Sequence, residues 1–132
     1  MTLVVLDTNV LVSSLWSKDG VPSKIFRMVL ESVLTPCHDY RIINEYNQVL
    51  RRSKFHFSAS DVEDMLDYIV NRGHSIVASA AECPFADESD RKFYEVAASA
   101  GAILITGNIR HYPVRSFIMS PAGFLEMALS SA

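Results

Sequence analysis

Cysteine is scarce in this chain. Only Cys37 and Cys83 occur, in unrelated contexts and without the C-x-x-C spacing of a redox or zinc pair. A disulfide framework is not to be expected, and both read as buried free thiols of a reducing cytoplasm. Positive charge is also short: 12 lysines and arginines face 15 acidic residues, for a net charge of −3. A nonspecific nucleic-acid coat would need a basic excess, so any polyanion contact has to be a local groove beside acidic groups. No apolar run approaches the roughly 18 residues of a membrane span. The leading apolar stretch lacks a basic start and is cut by Asp7, unlike a secretory signal. Repeats, linkers and low-complexity tracts are missing too. The expectation is one soluble, cytoplasmic domain over residues 1–132 with no membrane association; 49% hydrophobic and 20% charged residues suit a globular core built without staples.

What is present begins with Leu3-Val4-Val5-Leu6, an apolar run halted by Asp7, Thr8 and Asn9. Such a run reads as a strand buried on both faces. Ligands of open α/β sheets bind beyond the carboxyl ends of such strands, where Asp7 stands. Val10–Trp16 is apolar enough to pack on the core, and residues 17–20 form a turn. Pro22 suits the first turn of a helix over 21–31, with Ile25, Phe26, Val29 and Leu30 on one face. Val33–Cys37 reads as a strand interrupted by Pro36. Asp39 is the expected N-cap of a helix to Arg52 whose stripe is Ile42, Ile43, Tyr46, Val49 and Leu50. Ser60 with Glu63 forms a capping box for a helix to Arg72, closed by Gly73. His74–Ala78 reads as a strand. Asp87 or Ser89 opens a helix with Phe93, Val96, Ala97 and Ala100 inward, ended by Gly101. Ala102–Thr106 is another buried strand, Phe117–Met119 an edge strand, and Ser120-Pro121 starts a terminal helix carrying Phe124, Leu125, Ala128 and Leu129 on one side. The alternation predicts an α/β fold with a mainly parallel sheet of about five strands, covered on both faces.

Four acids fall at meaningful places. Asp7 ends the first strand, Glu45 borders a helix stripe, and Asp87 and Asp90 share one face at a helix start. A parallel sheet brings strand ends and helix starts to one edge, and so Asp7 near Asp90. Each acid has a plain structural use: Asp87 as a cap, Asp90 as a partner of the helix dipole, Glu45 in solvent. Asp7 resists such an account, and together the acids point to a divalent cation. Oxygen ligands favour Mg²⁺ or Mn²⁺ over zinc.

Leu6-Asp7-Thr8-Asn9-Val10-Leu11-Val12 resembles the opening motif of the PIN-domain family. Asn44-Glu45-Tyr46 is similar to that family's second acidic motif, and Asp87-Glu88-Ser89-Asp90-Arg91-Lys92-Phe93 to its third. Ile103 to Asn108 is similar to the strand and loop that close the site, and Pro121–Leu125 to the terminal helix of the toxin-component subgroup. The resemblance implies a three-layer α/β/α fold and a metal-dependent ribonuclease, the toxin of a VapBC-type toxin–antitoxin pair. It implies that Asp7, Glu45 and Asp90, assisted by Asp87, hold Mg²⁺ or Mn²⁺ for in-line hydrolysis leaving a 5′-phosphate. Thr8, Asn9, Thr106 and Asn108 would orient those carboxylates. It further implies a homodimer and a cognate antitoxin as partner. RNA as the substrate rests on the resemblance alone.

Arg51, Arg52 and Lys54, interleaved with Phe55 and followed by His56, form the best basic stretch for RNA; a solvated helix end is its plain alternative. Arg91, Lys92, Arg110 and Arg115 are further cations near the expected mouth. One departure stands out: many members of the resembled family carry a fourth acid where this chain has Asn108, Arg110 and His111. That keeps open a PIN-like module that binds RNA or an antitoxin without cleaving. His111 as a metal ligand is disfavoured by the oxygen preference of Mg²⁺. A dehalogenase-type phosphatase would need a second aspartate where Asn9 stands. A receiver domain would need a phosphoacceptor that His74–Ala78 does not supply.

Overall fold

Strands and helices alternate along the computed structural model, which describes residues 2–130. The strands are β1 (Thr2–Leu6), β2 (Leu34–His38), β3 (His74–Ser75), β4 (Ile103–Ile105) and β5 (Ile118–Met119); the helices are α1 (Thr8–Trp16), α2 (Val21–Leu30), α3 (Tyr40–Leu50), α4 (Ala59–Arg72), α5 (Arg91–Ala100) and α6 (Pro121–Ser130). All strand pairs are parallel, in the order β3-β2-β1-β4-β5. Val4, Val5, Leu6, Leu104 and Ile105 are fully buried, as central parallel strands covered on both faces require. On the helical layers, α3 meets α5 with Tyr46 against Phe93, and α2 packs on β2 and meets α6. The result is the expected three-layer α/β/α sandwich. Among the described residues no helix is long and apolar enough to cross a membrane.

Local chemistry explains most boundaries. Asp39 caps α3 by accepting the Ile42 N–H at 3.1 Å. Pro36, which has no N–H to donate, is tolerated inside β2 because on the edge its carbonyl shares with its nitrogen, facing Gly73, pairing with β3 begins only at Cys37. Several expectations need correction. The cap of α4 is Ser58, which accepts from the Asp61 N–H at 3.0 Å, so the helix starts before the Ser60–Glu63 box. Gly73 ends α4 in an extended conformation; what demands glycine is space, since a Cβ would stand 2.3 Å from the Pro36 oxygen and 2.4 Å from that of Ile69. Gly101 is the left-handed terminator, at φ 66°. β3 stops at Ser75 rather than Ala78, and Val77 is fully in solvent. Only Phe124 of the α6 face is fully buried, and Leu129 points outward.

Candidate functional site

β1 has β2 on one side and β4 on the other, so the connection direction reverses between β1 and β4. Beyond the carboxyl ends of those two strands lies the crevice where open α/β sheets bind ligands. Asp7 occupies it. Its N–H extends the strand pairing by donating to the Ile105 carbonyl at 3.0 Å. It stands at the N-cap position of α1, yet its side chain caps nothing. Oδ2 instead accepts from the Thr106 hydroxyl at 2.8 Å and the Tyr112 phenol at 2.9 Å. Burial nevertheless pushes the Asp7 pKa up, against the pull of those two donors, and repulsion from Glu45 adds to the rise. Burial, with the Asp7 charge second, drives the Tyr112 pKa far up, so this phenol stays protonated and can only donate.

Glu45 reaches the same region from α3. The Thr8 hydroxyl donates to its Oε2, and the Lys92 ammonium lies 2.7 Å from Oε1. Asp90 ends a short 3₁₀ turn, Glu88–Asp90, that leads into α5. Its pKa is raised to about 6, first by burial, then by the charges of Asp7 and Asp87. Among the described residues its buried Oδ2 has no hydrogen-bond partner. The His111 imidazole approaches it, with Nδ1 3.6 Å away. Asp87 sits exposed at the rim and caps the turn, accepting from the Ser89 N–H at 2.9 Å and its hydroxyl at 2.7 Å; these bonds hold its pKa down.

Asp7, Glu45 and Asp90 thus sense one another's charge, although among the described residues no three His, Cys, Asp or Glu side chains stand in metal-ligand geometry. The chemistry of the donors still fits a hard divalent ion. All are carboxylates, two have raised pKa values, and one buried oxygen of Asp90 is orphaned. Lys92 draws Glu45 toward α5, and its ammonium supplies the positive charge on that side of the pocket.

The expected supporting groups divide. Thr8 and Thr106 hold carboxylates directly. Asn9 accepts the Gly107 N–H at 2.9 Å and so ties down the loop after β4, whereas Asn108 gives its backbone N–H to Thr106 while its side chain is exposed. Among the expected RNA-binding cations, Lys92 turns inward. Arg91 is tied to Glu88 and the Ala81 carbonyl, and Arg51 to Asn47 and Glu63. Arg52, Lys54 and Arg110 are exposed. Sequence reasoning missed Tyr112. The signal was weak: an aromatic in a polar stretch, directly before Pro113.

A sequence model of the family described as PIN domain matches residues 3–110. A search among curated proteins finds no match.

Proposed function

This chain belongs to the PIN domain family, a nuclease-type fold, and from that premise we propose that it is an endoribonuclease using Mg²⁺ or Mn²⁺ to hydrolyse RNA phosphodiester bonds. The observation that carries this reading is the orphaned, buried Oδ2 of Asp90 beside an Asp7 that burial also destabilises as an anion. Like charges buried together without a counter-ion are costly, and a cation bound by Asp7, Asp90 and Glu45 removes that cost. A divalent ion there supplies Lewis-acid charge to the phosphodiester and acidifies water. The chain's own groups do the rest. Thr106 and Tyr112 fix the Asp7 carboxylate, Thr8 fixes Glu45, and Asn9 holds the Gly107 loop at the mouth. Asp87 keeps the turn bearing Asp90 in place, and Arg110, Arg52 and Lys54 are available to phosphates.

The finer reading is a cytoplasmic, homodimeric toxin held by a cognate antitoxin. It is supported by the likeness of Pro121–Leu125, beyond the matched residues 3–110, to the terminal helix of the toxin subgroup. Toxicity on expression that Asp90→Ala relieves supports it; toxicity that persists in the variant counts against this mechanism. The nuclease itself is tested with purified protein and labelled RNA. Cleavage should require Mn²⁺ or Mg²⁺, stop with EDTA and vanish in Asp7→Asn; cleavage indifferent to either change sinks the proposal.

The Lys92–Glu45 ion pair favours a second reading. A built-in cation on Glu45, with Asn108, Arg110 and His111 where a fourth acid is common, suits a module that binds RNA or an antitoxin without cutting. Such a module gains no thermal stability from Mn²⁺ unless Lys92 is changed to Ala. The nuclease gains it as wild type.

A further inference from the structure

Trp16 is the only tryptophan of the chain, and at the end of α1 it is left 64% exposed. Phe55 and Phe57 stack on each other, 5.3 Å between centroids and 9° between planes, and each meets the indole edge-to-face at 5.9 and 6.0 Å. Two residues of extended chain span about 6.7 Å, so stacking needs a tighter bend. His56 provides it, in the left-handed region at φ 56°, a conformation that residues other than glycine seldom hold. Lys54 lies 5.1 Å over the Phe55 ring, and Arg52, two residues earlier in the chain, is exposed. A cluster serving only to anchor this loop would bury its largest ring. Here that ring stays in solvent, and among the described residues neither Lys54 nor Arg52 forms an ion pair with an acid.

Flat aromatic surface with positive charge at its edge complements an unpaired nucleotide, whose base stacks while its phosphate meets the cation. α1 runs from Thr8, bonded to Glu45, to Trp16, a span of about 12 Å, or about three to four stacked nucleotides. We propose that Trp16, Phe55 and Phe57, flanked by Arg52 and Lys54, form a stacking platform that grips a base of single-stranded RNA one helix length from the acidic pocket. This rests on the nuclease reading and adds to it a second point of attachment for the substrate.

The lone tryptophan makes the test direct. The full chain is kept in EDTA, which prevents metal-dependent cleavage, and titrated with short oligouridylate and oligoadenylate while its emission is followed. Saturable quenching is expected. Trp16→Ala should weaken binding, read by anisotropy of labelled RNA, about tenfold, and Trp16→Phe much less. Arg52→Ala and Lys54→Ala should each flatten the dependence of log affinity on log salt by about 0.7. Unchanged emission at saturating RNA, or a Trp16→Phe protein that melts as wild type yet binds no better than Trp16→Ala with the salt slopes unmoved, overturns the platform. Equal quenching by a duplex overturns the single-strand assignment. The wild-type protein separates the two readings: quenching in EDTA with no cleavage once Mn²⁺ is added leaves the platform standing alone, and Mn²⁺-dependent cleavage without quenching removes only the platform.

Discussion

Glu95 and Asp7 are carboxylates buried to the same depth, 4% and 6% exposed, yet the protein moves their acidities in opposite directions. Burial pushes Glu95 up, but its Arg41 partner at 2.8 Å and the Ala81 N–H at 2.8 Å bring its pKa below the usual value. Arg41 is shared with Asp39, at 2.7 Å, so three charges close on themselves. At the β1–β4 edge Lys92 goes to Glu45, and Asp7 has the neutral donors Thr106 and Tyr112. Among the described residues the buried Oδ2 of Asp90 has no hydrogen-bond partner, so burial wins for Asp7 and Asp90. A carboxylate that serves the fold is given its counter-charge by the chain. One whose counter-charge is left to arrive from outside marks a candidate site.

The sharpest way to break this contrast is to remove the satisfied member. Glu95→Ala strips Arg41 of one partner and unties Ala81. A loss of about 3 kcal/mol in urea unfolding is expected, and a loss below about 1 kcal/mol would show the cluster contributing little. Asp90→Asn should do the reverse. A pKa raised from 3.8 to about 6 costs the metal-free fold about 3 kcal/mol at neutral pH; the amide recovers part of that, for a net gain of about 1 kcal/mol, while cleavage falls about 10²–10³-fold. An Asp90→Asn protein less stable than wild type in EDTA would mean that the anion is not strained.

The two acids also separate by pH. Asp90 holds its proton more tightly folded than unfolded, so its destabilising effect is absent below about 3.8, grows as pH rises and is complete above about 6. Glu95, with a lowered pKa, contributes stability above about 4.5 that is lost as pH falls through its folded value. Metal-free stability curves of Asp90→Asn and wild type should therefore diverge between about pH 4 and 6 and run parallel above. Divergence confined to more acid pH would assign the effect to the wrong carboxylate.

The contrast was only half legible in the sequence. Asp7 announced itself because a charge ending an apolar strand has few structural uses, and the strands and helices of the sheet followed from their periods of burial. The 3.6-residue pattern of α3 and α5 also located Glu45 and Asp90 on the chain. The satisfied cluster was invisible: Arg41, Glu95 and Ala81 meet only in three dimensions, and Glu95 lies among buried neighbours on α5 where a solvated acid would be guessed. The same network accompanies the early end of the strand expected over His74–Ala78, which stops at Ser75. Beyond Ser75, Ser79 and Ala81 give their N–H groups to Ser99 and Glu95 side chains rather than to a neighbouring strand, and no local pattern encodes that. Lys92 reads as an RNA-facing cation because nothing in its own segment reveals that Glu45 lies within reach.

The finest probe of the comparison is the bond between Tyr112 and Asp7. Tyr112→Phe keeps the ring against Phe85 and deletes one of two donors on Oδ2. Were Asp7 a structural acid like Glu95, losing a buried partner would cost the fold as much as an unpaired charge does. Asp7 has an escape that Glu95 does not use, because its pKa is already raised and a further rise lets it take a proton. The metal-free variant should therefore lose no more than about 1 kcal/mol. The effect should appear instead in ion binding: a carboxylate that is more often protonated and less firmly aimed should hold Mn²⁺ about tenfold more weakly. The pH of half-maximal binding should shift upward. Calorimetric titration across pH separates this from a packing role, for a ring that merely fills space leaves both the affinity and its pH midpoint where they were.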